Sequence, residues 1–334
     1  MNRKEPQLAP AFGKDPAEED FLLRLNGILA PHEEADYRDL PERFPTLHIL
    51  GAPRSGTTLL HQAVASCLDV GYINNLIAAF WRAPVQGIRL SKKLLVEVPV
   101  SSFSSRYGRT SGIHEPHEFG YFWSSVLGYD EMRQRDEAFE DRIDWARLRL
   151  ILINMAEAFG RPLVLKPFLL AWHIARLQTV MPKACFVWIR RDPLQTALSI
   201  VELRKKYAGS LETWVGLKPA EYAWLKNEPY WTQAAGQVYY VEKSIRSQIE
   251  AVGGRNVLTV DYEDFAENPK AVLRQIQELL ELNGFRPDST AEPPASFTTH
   301  RRTPQDNEDY ERVRREVERF STTTHAEPPR PRGG

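Results

Sequence analysis

Cysteine is scarce. Only Cys67 and Cys185 occur in 334 residues, each inside an apolar run. That excludes a disulfide framework and makes a reducing compartment the default expectation. An excess of one charge is missing too. Lys and Arg (43) nearly balance Asp and Glu (44), so no global field draws the chain to nucleic acid or an anionic membrane, and any basic site must be local. Long apolar runs are also absent. The longest, such as residues 148–153 and 185–189, fall far short of a membrane span. The opening stretch MNRKEPQLAPAFGKDPAEED has no apolar core of signal-peptide length. The expectation is a cytoplasmic protein with no nucleic-acid partner and no membrane span, its oligomeric state unspecified.

The residues that are present read as one globular domain: 42% hydrophobic and 26% charged is ordinary usage for an α/β chain of this length. Short β-branched runs each lead into a helical pattern. Residues 46–50 precede a helix at 57–68, 162–165 one near 171–180, 184–189 one reaching about 207, and 256–260 one near 269–280. Such alternation predicts a central parallel sheet flanked by helices, a three-layer α/β fold. Ligands in these sheets sit beyond the carboxyl ends of the strands. Arg54, Lys166 and Arg191 each lie just past such an end, so cations from three segments are expected to converge.

The first of these ends carries the strongest motif. Residues 51–58 read GAPRSGTT, a phosphate loop of the G-x-x-x-x-G-K-[ST] type in which Thr57 replaces the lysine and the cation moves to Arg54. Gly51 and Gly56 let backbone N–H groups turn inward, and the following helix adds its positive end, which together form an anion cradle. Pro53 stiffens the loop, while Ser55, Thr57 and Thr58 offer hydroxyls. A guanidinium fork suits phosphate or sulfate oxygens and is a poor metal partner. Loss of the lysine weakens the case for ATP with Mg²⁺.

Pro53–Thr58 resembles the P-[KR]-S-G-T-T loop of sulfotransferases that use 3′-phosphoadenosine-5′-phosphosulfate (PAPS), in the arginine version of the bacterial-type and tyrosylprotein branches. The same family grips the 3′-phosphate with R-x₇-S across a strand–helix junction, and Arg191 and Ser199 stand eight apart in FVWIRRDPLQTALS. Asp192 suits the N-cap and Pro193 the first helical position. Arg190 points the other way by strand alternation. LVLKP, ending in Lys166 and Pro167, and VLTVDYED at 257–264 resemble two further family stretches. The resemblance spans about residues 46–285 and implies a P-loop-like fold. It also implies sulfuryl transfer from PAPS to a hydroxyl, less readily an amine, of a small-molecule or lipid-like acceptor, with no metal required.

On that resemblance, Pro53, Arg54, Ser55, Gly56, Thr57, Thr58, Arg191 and Ser199 would hold the donor, joined by Arg301 and Arg302 from a basic turn near the C-terminus. Arg54 and Lys166 would act on the developing charge. The base is less legible. Phe168 stands where animal cytosolic members carry histidine, which leaves the stretch SGIHEPHEF at 111–119. Glu118 is the first candidate, with His117, Glu115 and His114 as rivals and His173 further on. A competing reading puts Glu118 in the first helical turn after Pro116, where a carboxylate merely satisfies the helix dipole.

Residues 1–45 are expected to form an extension packed on the same domain, 46–285 the sulfotransferase domain, 286–320 a segment closing over the donor, and 321–334 a disordered tail. Aromatics crowd residues 81–123 and 214–231, some suited to an acceptor pocket and most to the core. Two other functions fit parts of the pattern: a kinase or NTPase with a degenerate loop, and a non-catalytic module binding a nucleotide or sulfated ligand.

Overall fold

The computed structural model describes residues 13–95, 101–106, 108–305 and 307–322. Strands β1 (Thr46–Leu50), β2 (Gly71–Tyr72), β3 (Leu163–Leu165), β4 (Cys185–Arg190) and β5 (Val257–Asp261) form one sheet in the order β2-β3-β1-β4-β5. Every pairing is parallel, with His48 opposite Phe186 and Leu165, and Arg190 opposite Asp261. The parallel α/β architecture read from the sequence is the one observed.

A parallel sheet must be covered on both faces, and strand alternation sorts its side chains accordingly. On one face Leu47, Ile49, Val187 and Ile189 meet Leu60 and Val64 of the helix Thr57–Cys67 and Leu273 and Ile276 of the helix Pro269–Leu282. On the other, Leu163, Leu165, Phe186 and Trp188 meet Leu148 and Leu152 of the helix Trp145–Phe159 and Val241 and Ile245 of the helix Tyr230–Val252. Thr46 and His48 are the two polar residues of β1, and His48 carries the ionisable side chain. It is fully buried, stacked on Phe186 at 5.5 Å and bonded to Thr46 Oγ1 at 2.9 Å, and burial pushes its pKa down to about 3. Cys67 and Cys185 are buried free thiols.

Three features differ from the sequence expectation. β2 is only two residues long, too short to leave an apolar pattern. The helix expected to reach about 207 is α-helical for Pro193–Leu203 and then widens into a π turn, Arg204–Ala208. The helix after Pro116 begins only at Gly120, because Phe119 takes a left-handed φ of 57°. Glu118 therefore lies outside any helical turn, and the dipole reading does not apply to it.

In the described part of the N-terminal region, the helix Pro16–Asp36 packs on the helix Pro84–Leu94. Ala83 offers that second helix no side-chain cap. Glu33 does so from the first, accepting the Val85 and Gln86 amides at 2.6 and 3.1 Å. No helix among the described residues is long and apolar enough to cross a membrane. Most of the 321–334 tail, and Tyr107, lie outside the described residues.

Candidate active site

The turn after β1 is built on contacts too close for side chains. A Cβ on Gly51 would lie 2.4 Å from Ser55 Oγ and 2.5 Å from the Ile189 carbonyl. One on Gly56 would lie 2.3 Å from the Tyr262 ring, and Gly56 has φ 102°. Arg54 adopts a left-handed φ of 74°, a strained choice for a side chain and one found where a loop must clasp a ligand. The Ser55 amide donates to the Ala52 carbonyl at 3.1 Å, closing the turn. The helix Thr57–Cys67 opens directly from it with no side-chain cap, so its positive end faces the loop. Ser55 Oγ is buried with no hydrogen-bond partner among the described residues, an orphan that an anion in the loop would satisfy.

Arg54 leaves this loop toward β4. Its Nε donates to Ser199 Oγ at 3.1 Å, and Arg191 Nη1 donates to the Arg54 carbonyl at 3.3 Å. The Arg191 guanidinium lies 4.5 Å over the Tyr262 ring, which also leans on Gly56. Burial pushes the Arg191 pKa below its ordinary value, Arg302 adding to the effect, and its Nε is a second buried orphan. Asp192 caps the following helix through the Leu194 and Gln195 amides, and Arg190 turns away to a bidentate pair with Asp261 at 3.1 and 3.0 Å. Arg191, Tyr262, Thr299, His300 and Arg301 line a cavity of about 210 Å³. The C-terminal segment is held there by Gln195, which donates to the Arg302 carbonyl at 3.0 Å and accepts its amide at 2.7 Å. Arg301 reaches within 3.9 Å of Asp192, while the Arg302 guanidinium pairs with Glu202.

On the other side of the loop helix, Lys166 is 2% exposed. Its Nζ donates to Thr58 Oγ1 at 2.8 Å and to Glu118 at 2.5 Å. Burial pushes the Lys166 pKa down and Arg54 pushes the same way, while Glu118 opposes both. Glu118 is partly open to solvent and sits beneath Gly108, whose Cβ position would be 3.2 Å from Glu118 Oε1. His117 Nδ1 accepts the Phe119 amide at 2.9 Å. Loss of hydration pushes the His117 pKa down, Glu118 opposes, and Lys166 and Arg109 assist.

Not every candidate joins this group. The Glu115 carboxylate is 1% exposed and accepts from Gln62 at 2.9 Å, the Ser102 amide at 2.9 Å, and the hydroxyls of Ser101 and Ser102. Burial alone would raise its pKa, but these donors outweigh it and hold the pKa below the usual carboxylate range. Glu115 thus fastens the 101–104 segment to the loop helix. Replacing it by alanine strands those donors and is expected to cost about 3 kcal/mol in a urea denaturation series. An unchanged midpoint would contradict the anchoring role. His114 lies 3.9 Å from Glu115, and His173 is committed to Tyr129 at 2.8 Å and Glu140 at 2.6 Å. Trp81 and Phe122 line a separate cavity of about 280 Å³ beside the N-terminal helix, to which Lys166 and Glu118 do not contribute. No cluster of three or more metal-ligating side chains occurs among the described residues.

Four residues near the site were given no role by the sequence reading. His61 shares the helix face of Thr57 and Thr58, one turn on. It is 1% exposed, its Nε2 has no partner among the described residues, and burial, then Lys166 and His117, push its pKa down to about 3. The i+3/i+4 spacing was the signal available for it. Gln195, Tyr262 and Glu242, which accepts the Ala52 amide at 2.9 Å, depend on contacts that no local pattern encodes.

The model of the sulfotransferase family matches residues 45–287. No curated protein matches. Among solved structures, sulfotransferase STF1 from Mycobacterium tuberculosis is 16% identical, covering 94% of this chain and 88% of its own, with a TM-score of 0.49. STF9 from Mycobacterium avium is 18% identical over 83% and 74%, at 0.46. A sulfotransferase from Alicyclobacillus acidocaldarius is 18% identical over 85% and 97%, at 0.41. The family match runs from the residue before β1 to beyond β5, and so takes in the loop, Lys166, Arg191 and Ser199 together: the chain belongs to the sulfotransferase family.

Proposed function

We propose that the chain transfers the sulfuryl group of PAPS to a hydroxyl of a small-molecule acceptor and releases adenosine 3′,5′-bisphosphate. One observation carries the reading. Arg54, Ser199 and Arg191 form a hydrogen-bonded series on one side of a loop with an orphaned hydroxyl, while Lys166 and Glu118 pair on the other.

PAPS supplies the sulfuryl group and a phosphate leaving group. The loop amides, Ser55, Thr57 and Thr58 would hold the 5′ end. Arg191, Ser199 and the cavity wall at His300–Arg301 would hold the 3′-phosphate. Arg54 would neutralise charge growing on the bridging oxygen, and Lys166 the sulfuryl oxygens. In transfer the bond from sulfur to the bridging oxygen breaks and one from sulfur to the acceptor oxygen forms. The acceptor proton passes to Glu118, the one carboxylate among the described residues that touches Lys166. Catalysis of this kind is positioning plus fixed cations.

Thermal stability in the presence of nucleotides tests the donor. Adenosine 3′,5′-bisphosphate at about 100 times its Kd is expected to stabilise the fold by about 2.7 kcal/mol. Stabilisation by ATP with Mg²⁺ and not by the bisphosphate would sink the proposal. Binding of the bisphosphate without transfer to any of a broad panel of hydroxyl acceptors would favour a non-catalytic module.

A further inference from the structure

The base of the loop is held from a distance of 190 residues in sequence. Glu242, on the helix Tyr230–Val252, accepts the Ala52 amide with Oε1 at 2.9 Å and the Trp188 indole N–H with Oε2 at 2.8 Å. Ala52 is the residue whose carbonyl closes the turn with Ser55, so both of its peptide groups are fixed, one by the loop and one by Glu242. The helix itself is seated under the sheet by Val241 and Ile245. It meets the loop a second time one turn and more earlier: Gln237 donates to the Val215 and Leu217 carbonyls at 2.9 and 2.8 Å, which sets Gly216 against Pro53. Glu242 therefore ties three elements together: the loop after β1, the end of β4 and the helix behind them.

We infer that Glu242 is a positioning residue for the donor loop, and that its ionised form is the one that holds the loop in place. The inference rests on reading residues 51–58 as the donor loop. Both groups that face the carboxylate are donors, and an ionised carboxylate accepts from both. A neutral carboxyl carries a proton on one oxygen, which leaves Ala52 or Trp188 without a good acceptor and frees one hold. The other charged groups facing it are Arg190 of β4, which is itself paired with Asp261 of β5, and Arg246 on its own helix. Both favour the ionised form, and both lie over the Trp188 ring, at 5.4 and 6.0 Å. Burial outweighs them and pushes the Glu242 pKa up to about 7. The hold would then loosen across neutral pH as acidity rises. Global stability moves the other way. A carboxyl whose folded pKa exceeds its ordinary 4.5 contributes stability that is fully present below 4.5 and lost as pH rises through about 7. Loop order and overall stability thus carry opposite pH signatures.

Hydrogen exchange of peptides covering residues 51–58, measured without ligand at about pH 6 and about pH 8 and corrected for intrinsic rates, reads the hold directly. In the wild type, protection is expected to be several-fold higher at the upper pH. Glu242→Gln keeps one acceptor oxygen and sets its NH₂ against the other of the two donors, so its loop should exchange roughly tenfold faster at the upper pH and lose the pH dependence. Trp188→Phe removes one donor. The remaining carbonyl oxygen suffices for Ala52 in either protonation state, so protection should stay high at both pH values. Bisphosphate affinity should change little in Glu242→Gln while the held loop remains the major form, because apparent affinity follows the competent fraction and not the opening constant that exchange reads. Equal loop exchange in wild type and Glu242→Gln, or a pH dependence that survives in Trp188→Phe, overturns the inference. Because the exchange measurement uses no ligand, failure of the bisphosphate to bind the wild type would count against the donor and not against Glu242.

Discussion

Lys166→Met is expected to lower sulfuryl transfer by about 10²–10³-fold while leaving adenosine 3′,5′-bisphosphate affinity within a few-fold of wild type. Methionine keeps the length and buried packing of the side chain and deletes the charge together with its N–H donors. The product lacks the transferred group, so a cation that acts on the sulfuryl oxygens is invisible to it. Lys166 also donates to Thr58 Oγ1 at 2.8 Å, which offers a competing role: propping the loop helix. The two are separated by comparing steady-state rates with product binding. A parallel loss of both would mean that Lys166 supports the loop and does not serve the chemistry. Glu118→Gln provides the reference. It keeps the Lys166 contact through its amide oxygen and removes the proton acceptor, so turnover should fall while product affinity holds. Unchanged turnover there would move the base to His117.

Arg191→Ala should weaken adenosine 3′,5′-bisphosphate by roughly 10–150-fold, the equivalent of about 1.5–3 kcal/mol for a charge-assisted contact. The guanidinium is already held over Tyr262 and against the Arg54 carbonyl, so the site is preorganised and little ordering remains to offset the contact. Calorimetric titration with the bisphosphate and with adenosine 5′-phosphosulfate, which lacks the 3′ group, checks the assignment. The second ligand should lose only a few-fold. Equal losses would show that the substitution disturbs the loop through Arg54 and that Arg191 does not read the 3′-phosphate. Arg191→Lys should fall between, since it keeps the charge but loses the planar fork and the stacking.

The legible parts of this molecule were those written in local patterns. β1, β3, β4 and β5 announce themselves as β-branched runs, each followed by a charged or glycine-bearing turn. Because all strands run parallel, a residue just past a strand end lies on the same edge of the sheet as every other such residue, and Arg54 and Arg191 could be placed there before any coordinates. What stayed hidden was decided by packing over long separations. The start of the helix at Gly120 goes with a left-handed Phe119, buried and stacked on Phe122 at 4.6 Å, and with Glu118 paired to Lys166 just before it. Glu115 stood among the rivals of Glu118 because the motif carries no sign that Ser101, Ser102 and Gln62 would surround it. Gln195, Tyr262 and Glu242 bear ordinary side chains on ordinary elements, and only the fold sets them beside Arg302, Gly56 and Ala52.

The contact of Gly56 with the Tyr262 ring links the mutational fates of two positions on separate strand ends. Any methyl at 56 collides with that ring, and any side chain without a ring at 262 opens a void that also removes the platform beneath Arg191. Neither site can drift alone. Saturation libraries built to retune donor preference should therefore keep glycine at 56, whose φ of 102° strains any other residue even where the ring is gone, and a ring at 262.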